Sequence, residues 1–174
     1  RGGAWYPPVP TYTGALVGGV VSTNAAGAAT WKYGSTRDWV RALTVVLASG
    51  DVLDVRRGQV TAGADGFEVK LPSGQVLRVP VPDYRMPDVP KLSAGYYARP
   101  GMDAIDLFIG SEGTLGVIVE ATLRVIPLPR RAFVLLTCES EAQALAVTAV
   151  LRGEAARCWR GDGPLDVAAI EYID

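Results

Sequence analysis

Two glycine-rich segments hold the residues whose types and spacing could bind a ligand. Residues 14–34 read GALVGGVVSTNAAGAATWKYG, and residues 110–116 read GSEGTLG. Glycine loses more chain entropy on folding than alanine, so such density weakens an ordinary element. Either the backbone turns tightly there, or its N–H groups closely approach an anion or a polar ring. Neither segment alone decides between these alternatives, and neither matches the GxxxxGK(S/T) or strand-led GxGxxG nucleotide loops.

Regular elements separate the two segments. Residues 43–55 and 67–81 each alternate apolar residues around a glycine-containing turn, which predicts two β-hairpins. Pro80 and Pro82 place the second hairpin at a sheet edge. The proline-rich stretches at 5–13 and 82–101 are predicted to be extended and irregular, respectively.

The second segment lies between a predicted short helix and a predicted strand. Ile105, Phe108 and Ile109 have helical spacing before Gly110. The half-buried strand at 117–125 carries one alternating apolar set, consisting of Val117, Val119, Ala121, Leu123 and Val125.

A different pattern begins near residue 131. Residues 133–138 predict a buried strand, and residues 165–174 predict a second one. Between them, Ser140 is the expected N-cap of a helix, with Gln143 at the capping-box position. One face of that helix is predicted to be formed by Ala142, Leu145, Ala146 and Ala149. This order is typical of an α/β unit that the chain begins without completing.

Composition excludes several classes of function. The net charge is −1, from 17 basic and 18 acidic residues, and gives no reason to expect nucleic acid as a partner. No apolar run has the length of a transmembrane segment. The sequence has no histidine, and it indicates neither a catalytic residue nor a metal site. Cys138 and Cys158 predict reduced thiols and a cytoplasmic location, with a disulfide between them as the less favoured alternative. Because the chain begins at Arg1 without methionine, we expect a fragment.

The order of the motifs resembles a known family. YPPVPTYTGALVGGVVSTNAAGAATWKYG, then KLSAGY, then DLFIGSEGTLGVIVEATLRVIPLP follow one another at characteristic spacing. They resemble the FAD-linked oxidases of the vanillyl-alcohol oxidase and p-cresol methylhydroxylase type. Within that group the sequence looks most like the D-lactate, glycolate and D-2-hydroxyacid dehydrogenases. GSEGTLGV before an alternating strand is the most specific of these motifs.

The resemblance implies an α+β fold with FAD as cofactor. Residues 1–130 would be the second α+β half of a p-cresol methylhydroxylase-type FAD-binding domain. Residues 131–174 would begin the α/β cap domain, so the partners would be the remainder of both domains and a small 2-hydroxy acid. The implied FAD contacts are Pro10, Thr11, Ala15, Leu16, Gly18, Gly19, Thr23, Asn24, Ala25, Ala26, Gly27, Glu112, Gly113, Gly116, Val117 and Ile118.

The implied activity is oxidation of a D-lactate-like or glycolate-like acid by hydride transfer to the flavin. Two alternatives remain open at the level of sequence. Val9 and Leu16 stand where relatives often carry aspartate and threonine, which is compatible with a non-catalytic subunit of an oxidase complex. A flavin-dependent transferase similar to alkyl-dihydroxyacetone-phosphate synthase shares the same motifs. The isolated chain is expected to be inactive, and nothing in it indicates an oligomeric state.

Overall fold

The structure combines short helices with antiparallel strands, as the α+β prediction requires. It is a computed structural model that describes residues 3–12, 14–89, 91–92 and 95–173. In chain order its elements are β1 (Ala4–Trp5), α1 (Val17–Ser22), α2 (Thr30–Tyr33), a 3-10 helix (Thr36–Trp39), β2 (Val40–Val46), β3 (Val52–Arg56), β4 (Phe67–Lys70), β5 (Val76–Val79), α3 (Ile105–Phe108), β6 (Val117–Leu123), β7 (Ile126–Pro127) and α4 (Glu141–Trp159).

A three-stranded antiparallel sheet in the order β3-β2-β6 carries the core. β2 and β3 form the first predicted hairpin, in which Leu43 pairs with Val55 and Val45 with Leu53. Since side chains alternate across a strand, these four share one face, and all four are buried. The short helix α3, also as predicted, packs on that face. β6 begins at Val117, directly after the second glycine-rich segment. Its pairing with β2 therefore holds that segment beside the core.

The set of β6 side chains that faces the core changes partway along the strand. Val117 and Val119 are 63% and 59% exposed, whereas Ile118 packs against the core. The pairing with β2 shifts register around Val119, which is an extra residue on this strand. A bulge of this kind reverses which side chains face inward. The predicted strand is confirmed, but the prediction that Val117 and Val119 share a face with Ala121 and Leu123 is wrong.

The second predicted hairpin is also present, as β4 and β5. It forms a separate two-stranded sheet instead of the edge of a larger one. Phe67, Val69 and Leu71 are buried and join the same core as the three-stranded sheet. A hairpin of two strands is marginal by itself, so this shared apolar face is what stabilises it.

Helix α1 lies inside the first glycine-rich segment, where the sequence predicts neither a plain helix nor a strand. It contains Gly18 and Gly19, which disfavour helix by about 1 kcal/mol each relative to alanine. Val20 and Val21 of the same helix are buried, and Val21 belongs to the core cluster. Tertiary packing of this apolar side outweighs the low propensity of the glycines.

Helix α4 begins as predicted but packs through a different face. The Ser140 hydroxyl accepts a hydrogen bond from the Gln143 N–H at 3.3 Å, and the Gln143 side chain accepts one from the Glu139 N–H at 2.6 Å. The predicted face of Ala142, Leu145, Ala146 and Ala149 is exposed, and the more buried residues are Ala144, Val147, Thr148, Leu151 and Ala155. Because alanine occurs all round this helix, its pattern does not select a face.

The two strands predicted beside α4 are wrong for the described residues. Residues 133–138 and 165–173 form no strand, and Asp174 lies outside the described part of the chain. Phe133 and Leu135 are 97% and 87% exposed. A strand needs a partner that accepts its backbone hydrogen bonds, and the described residues offer none to either segment.

Candidate functional site

The structure joins the two glycine-rich segments into one surface. The Gly110 N–H donates to the Val21 carbonyl at 3.1 Å, and the Glu112 N–H donates to the Ser22 carbonyl at 2.8 Å. Both acceptors lie at the end of α1, so the loop of the second segment is tied to the helix of the first. We call the adjoining surface of residues 14–19 and 112–117 the glycine wall.

The residues implied as FAD contacts lie at three levels of burial. Asn24 alone among them is buried. The half-buried members are Pro10, Gly18, Ala25, Ala26, Gly27, Gly116 and Ile118. The exposed members are Thr11, Ala15, Leu16, Gly19, Thr23, Glu112, Gly113 and Val117. The glycine wall therefore faces outward, where a ligand can reach it.

Three of these glycines are explained by packing within the chain. A Cβ on Gly18 would lie 3.3 Å from the Ile118 carbonyl oxygen, where α1 crosses β6. A Cβ on Gly27 would collide with the carbonyl oxygen of Val9. On Gly116 it would lie 2.6 Å from a methyl group of Val45. At these positions, close packing within the chain is sufficient to explain the glycine.

Gly19 and Gly113 are different because they face open space. A Cβ on either residue would meet no neighbouring group within 4 Å. Gly113 has a φ of +79°, a conformation that itself favours glycine. Gly19 has no positive φ and sits in the exposed part of α1, so neither turn geometry nor internal packing requires glycine there. Bare backbone at Gly19 leaves room for a group that does not belong to this chain.

The wall also exposes apolar side chains. Leu16 is 80% exposed and Val17 is 53% exposed on the first segment, with Leu115 and Val117 exposed on the second. Adjoining apolar side chains of this kind mark surfaces that are covered by a ligand or by another part of a protein. The wall thus combines bare backbone with apolar contact area, which suits a flat, partly apolar ring system.

Two residues on the two segments have left-handed backbone. Asn24 has φ +47° and Glu112 has φ +54°. Among described residues other than glycine, only these two do so. Asparagine tolerates this region, whereas glutamate adopts it at a cost. The Glu112 N–H bond to Ser22 holds that residue in place, and such strain is concentrated at functional sites.

A largely buried ion-pair network lies next to the two segments in sequence. Arg37 donates to an Asp106 carboxylate oxygen at 3.0 Å, and Arg57 donates to the other at 2.8 Å. Asp106 is 5% exposed, so its charge is balanced inside the protein. Burial lowers the pKa of Arg37, and the Asp106 charge opposes that shift. The sequence patterns did not predict this network. Its one signal is Asp106 within the apolar run AIDLFIG, because a buried carboxylate needs a cation as its partner.

The proline-rich loop at 82–101 covers part of the site. Asn24 donates through its side-chain amide to the Leu92 carbonyl at 3.1 Å. The Tyr96 hydroxyl lies 2.7 Å from the Thr114 hydroxyl. This loop therefore contacts both glycine-rich segments. Within its KLSAGY motif, Ser93 and Ala94 lie outside the described residues.

A cavity lies elsewhere, between α4 and the first glycine-rich segment. It has a volume of about 370 Å³, with lining residues that include Trp31, Leu145, Arg152 and Tyr172. Tyr172 belongs to the segment that was expected to form a strand under α4. The cavity is thus an incompletely filled space between a helix and an unpaired tail, and the glycine wall itself is open surface.

Among the described residues, no three histidine, cysteine, aspartate or glutamate side chains lie together as a metal-binding group. None of the helices in those ranges combines the length and apolar character needed to span a membrane. Both cysteines are free thiols.

Several known proteins are similar to this chain in sequence. A family model described as FAD binding domain matches residues 1–56. D-lactate dehydrogenase of Anaerostipes hadrus is 40% identical over 134 residues, which are 77% of this chain and 21% of that protein. Glycolate oxidase subunit GlcD of Bacillus subtilis is 34% identical over 147 residues, covering 84% of this chain and 24% of the relative.

A third relative matches almost the whole chain. The probable mitochondrial D-lactate dehydrogenase of Danio rerio is 31% identical over 172 residues, which are 99% of this chain and 26% of that protein. The chain spans about a fifth to a quarter of the length of these relatives.

Proposed function

This chain belongs to the family of FAD-linked oxidases, and we propose that its glycine wall is one side of the site that holds FAD. The observation that carries the proposal is the union of two sequence-distant glycine-rich segments in one outward-facing surface. Gly19 and Gly113 offer bare backbone there, while Leu16 and Val17 offer apolar contact. A planar ring with a polar edge and an anionic tail requires both kinds of surface.

The implied FAD contacts would hold the cofactor in two ways, according to their burial. The exposed members of the implied set would contact it, namely Thr11, Ala15, Leu16, Gly19, Thr23, Glu112, Gly113 and Val117. The half-buried and buried members, Pro10, Gly18, Asn24, Ala25, Ala26, Gly27, Gly116 and Ile118, would shape the backbone behind them.

We propose that residues 1–130 are the second half of the FAD-binding domain and that residues 131–174 begin the cap domain. The pairing of β1 with β7 supports this boundary, because it brings Trp5 against Ile126 and closes the first part of the chain on itself. Beyond β7, no described residue pairs with another strand. The FAD binding domain model matches residues 1–56, which lie within the first of these two parts.

For the full-length polypeptide we propose oxidation of a small 2-hydroxy acid, since the relatives are named for D-lactate, glycolate and D-2-hydroxyglutarate. Bound FAD would accept the hydride from the α-carbon, leaving a 2-oxo acid. Residues 1–174 would position the cofactor and exclude water from one side of it. It has no histidine, so the base that takes the hydroxyl proton would come from elsewhere in the polypeptide. The free thiols support the proposed cytoplasmic location.

Flavin reduction tests the proposal. The full-length polypeptide, purified and loaded with FAD, should show a bound-flavin absorbance spectrum that bleaches anaerobically on addition of D-lactate, glycolate or D-2-hydroxyglutarate. L-lactate serves as the stereochemical control. Protein that takes up no FAD would contradict the site, whereas protein that binds FAD but is reduced by none of these acids would contradict the activity alone.

A further inference from the structure

Arg37 links the first glycine-rich segment to the residues directly before the second. Its backbone N–H donates to the side-chain oxygen of Asn24 at 2.9 Å, on the first segment. Its guanidinium donates to the Ile109 carbonyl, immediately before the second segment, and to the Asp106 carbonyl at 2.7 Å. The planar guanidinium can serve several acceptors in fixed directions, which a lysine ammonium cannot.

Packing brings the same residue close to the start of the loop. A Cβ built on Gly110 would lie 3.3 Å from the Asn24 Cβ and 3.5 Å from an Arg37 guanidinium nitrogen. The opposite face of the guanidinium lies 4.1 Å from the centre of the Tyr97 ring. Arg37 is therefore enclosed by both segments and by the proline-rich loop, and it has little room to move.

Arg57 provides an internal comparison. It shares the Asp106 carboxylate with Arg37, but its other bonds go to the Arg37 carbonyl at 3.1 Å and the Val40 carbonyl at 3.3 Å. Neither of these acceptors lies in or directly beside a glycine-rich segment. The two arginines thus contribute similar ion pairs to the fold, but of the two only Arg37 bonds both to Asn24 in the first segment and to Ile109 directly before the second.

We propose that Arg37 is a positioning residue that sets the spacing between the two FAD-contacting segments. This inference rests on the proposed FAD site. The direct links between the segments are the Gly110–Val21 and Glu112–Ser22 backbone bonds, and Arg37 supports the same junction through its bond to Ile109. Without the Arg37 side chain, the loop carrying Glu112 and Gly113 keeps these two backbone anchors but loses the side-chain anchor at Ile109.

The first test is hydrogen exchange in the absence of cofactor. In the full-length polypeptide, Arg37→Met should speed amide exchange at Gly110 and Glu112 by about tenfold or more over Arg57→Met, because a charged hydrogen bond to the loop is lost only in the former. Equal exchange in the two variants would overturn the inference. Arg37→Lys keeps the charge without the multiple directed bonds, so its exchange should resemble that of Arg37→Met.

The second test is cofactor affinity. FAD titration followed by flavin fluorescence should show about tenfold to hundredfold weaker binding by Arg37→Met, with Arg57→Met within about threefold of the wild type. The visible circular dichroism of bound flavin should change only in Arg37 variants, since it reports the asymmetry of the ring environment. Matching losses in both variants, with an unchanged flavin signal, would reduce Arg37 to a stabilising ion pair.

The outcomes separate this inference from the proposed function. Wild-type protein that binds no FAD contradicts the proposed function, whatever the variants do. Wild-type protein that binds FAD, together with an Arg37→Met variant that binds it equally well, contradicts only the positioning role. Should Arg37→Met yield no folded protein, Arg37→Lys decides the question by the same two measurements.

Discussion

Gly19→Ala should stabilise the free protein and weaken its binding of FAD, which are effects of opposite sign. Gly19 lies within α1, has no positive φ, and would place a Cβ in open space. Alanine therefore gains about 0.5–1 kcal/mol from helix propensity with no clash to offset it. For a chain of this size that corresponds to a rise in Tm of about 1–4 °C.

The added methyl group lies on the face assigned to the cofactor. Overfilling a close contact costs about 1–3 kcal/mol, which is about fivefold to hundredfold in Kd for FAD. Thermal unfolding of the FAD-free protein and fluorescence titration with FAD measure the two effects separately. FAD saturation should then reverse the order of the melting temperatures, because ligand stabilisation depends on affinity.

Gly153→Ala is the matched control. Gly153 also lies within a helix, α4, and a Cβ there meets nothing within 4 Å. It should raise the Tm of the free protein by a similar amount and leave the Kd for FAD unchanged. If Gly19→Ala binds FAD as tightly as Gly153→Ala does, no cofactor lies against α1 at that position. A Gly19→Ala variant less stable than wild type would show that α1 packs against something the described contacts omit.

The remaining predictions concern packing and charge. Gly27→Ala should destabilise the protein by about 1–3 kcal/mol in urea unfolding, because its Cβ would collide with the Val9 carbonyl; an unchanged midpoint would show that this contact relaxes freely. Asp106→Asn should cost about 3–5 kcal/mol, because it leaves two arginines without their buried carboxylate, and a loss below about 1 kcal/mol would contradict that account. For Lys32, burial lowers the pKa, but the hydrogen bonds and charge interactions with Asp166 and Tyr33 together outweigh it, so the pKa is raised. The Tm difference between wild type and Asp166→Asn should therefore be present at neutral pH and vanish as the pH rises above the lysine range; a difference persisting there would contradict an ionic contribution.

Local features were predictable from the sequence because they depend on neighbours in the chain. The turns around Gly50 and Gly74 have positive φ and define both hairpins, and Ser140 caps α4. Each of these signals uses a side chain and a backbone group within a few positions. The resemblance to a family added which segments carry the site, a conclusion that glycine density alone leaves open.

Features that depend on distant partners were not predictable in the same way. The bulge at Val119 appears only when β6 is paired with β2, so its exposed side could not be read from alternation. The segment at 133–138 has the composition of a strand, but it remains unpaired in the described structure. The contact of Arg37 with Asp106 joins residues 69 positions apart, and no local pattern connects them.

Glycine density was the first signal of a site, yet only some of the glycines can report a ligand. The chain's own packing requires Gly27 and Gly116 and leaves little space at Gly18, so their presence says nothing about a cofactor. Openness is not sufficient either, since Gly153 is as open as Gly19 and lies in a different helix. What distinguishes Gly19 is its position in α1, whose end is bonded to the loop that contains the left-handed Glu112. The inference of a cofactor therefore depends on two segments meeting at one surface, and it gains strength from the glycines that internal packing leaves unexplained.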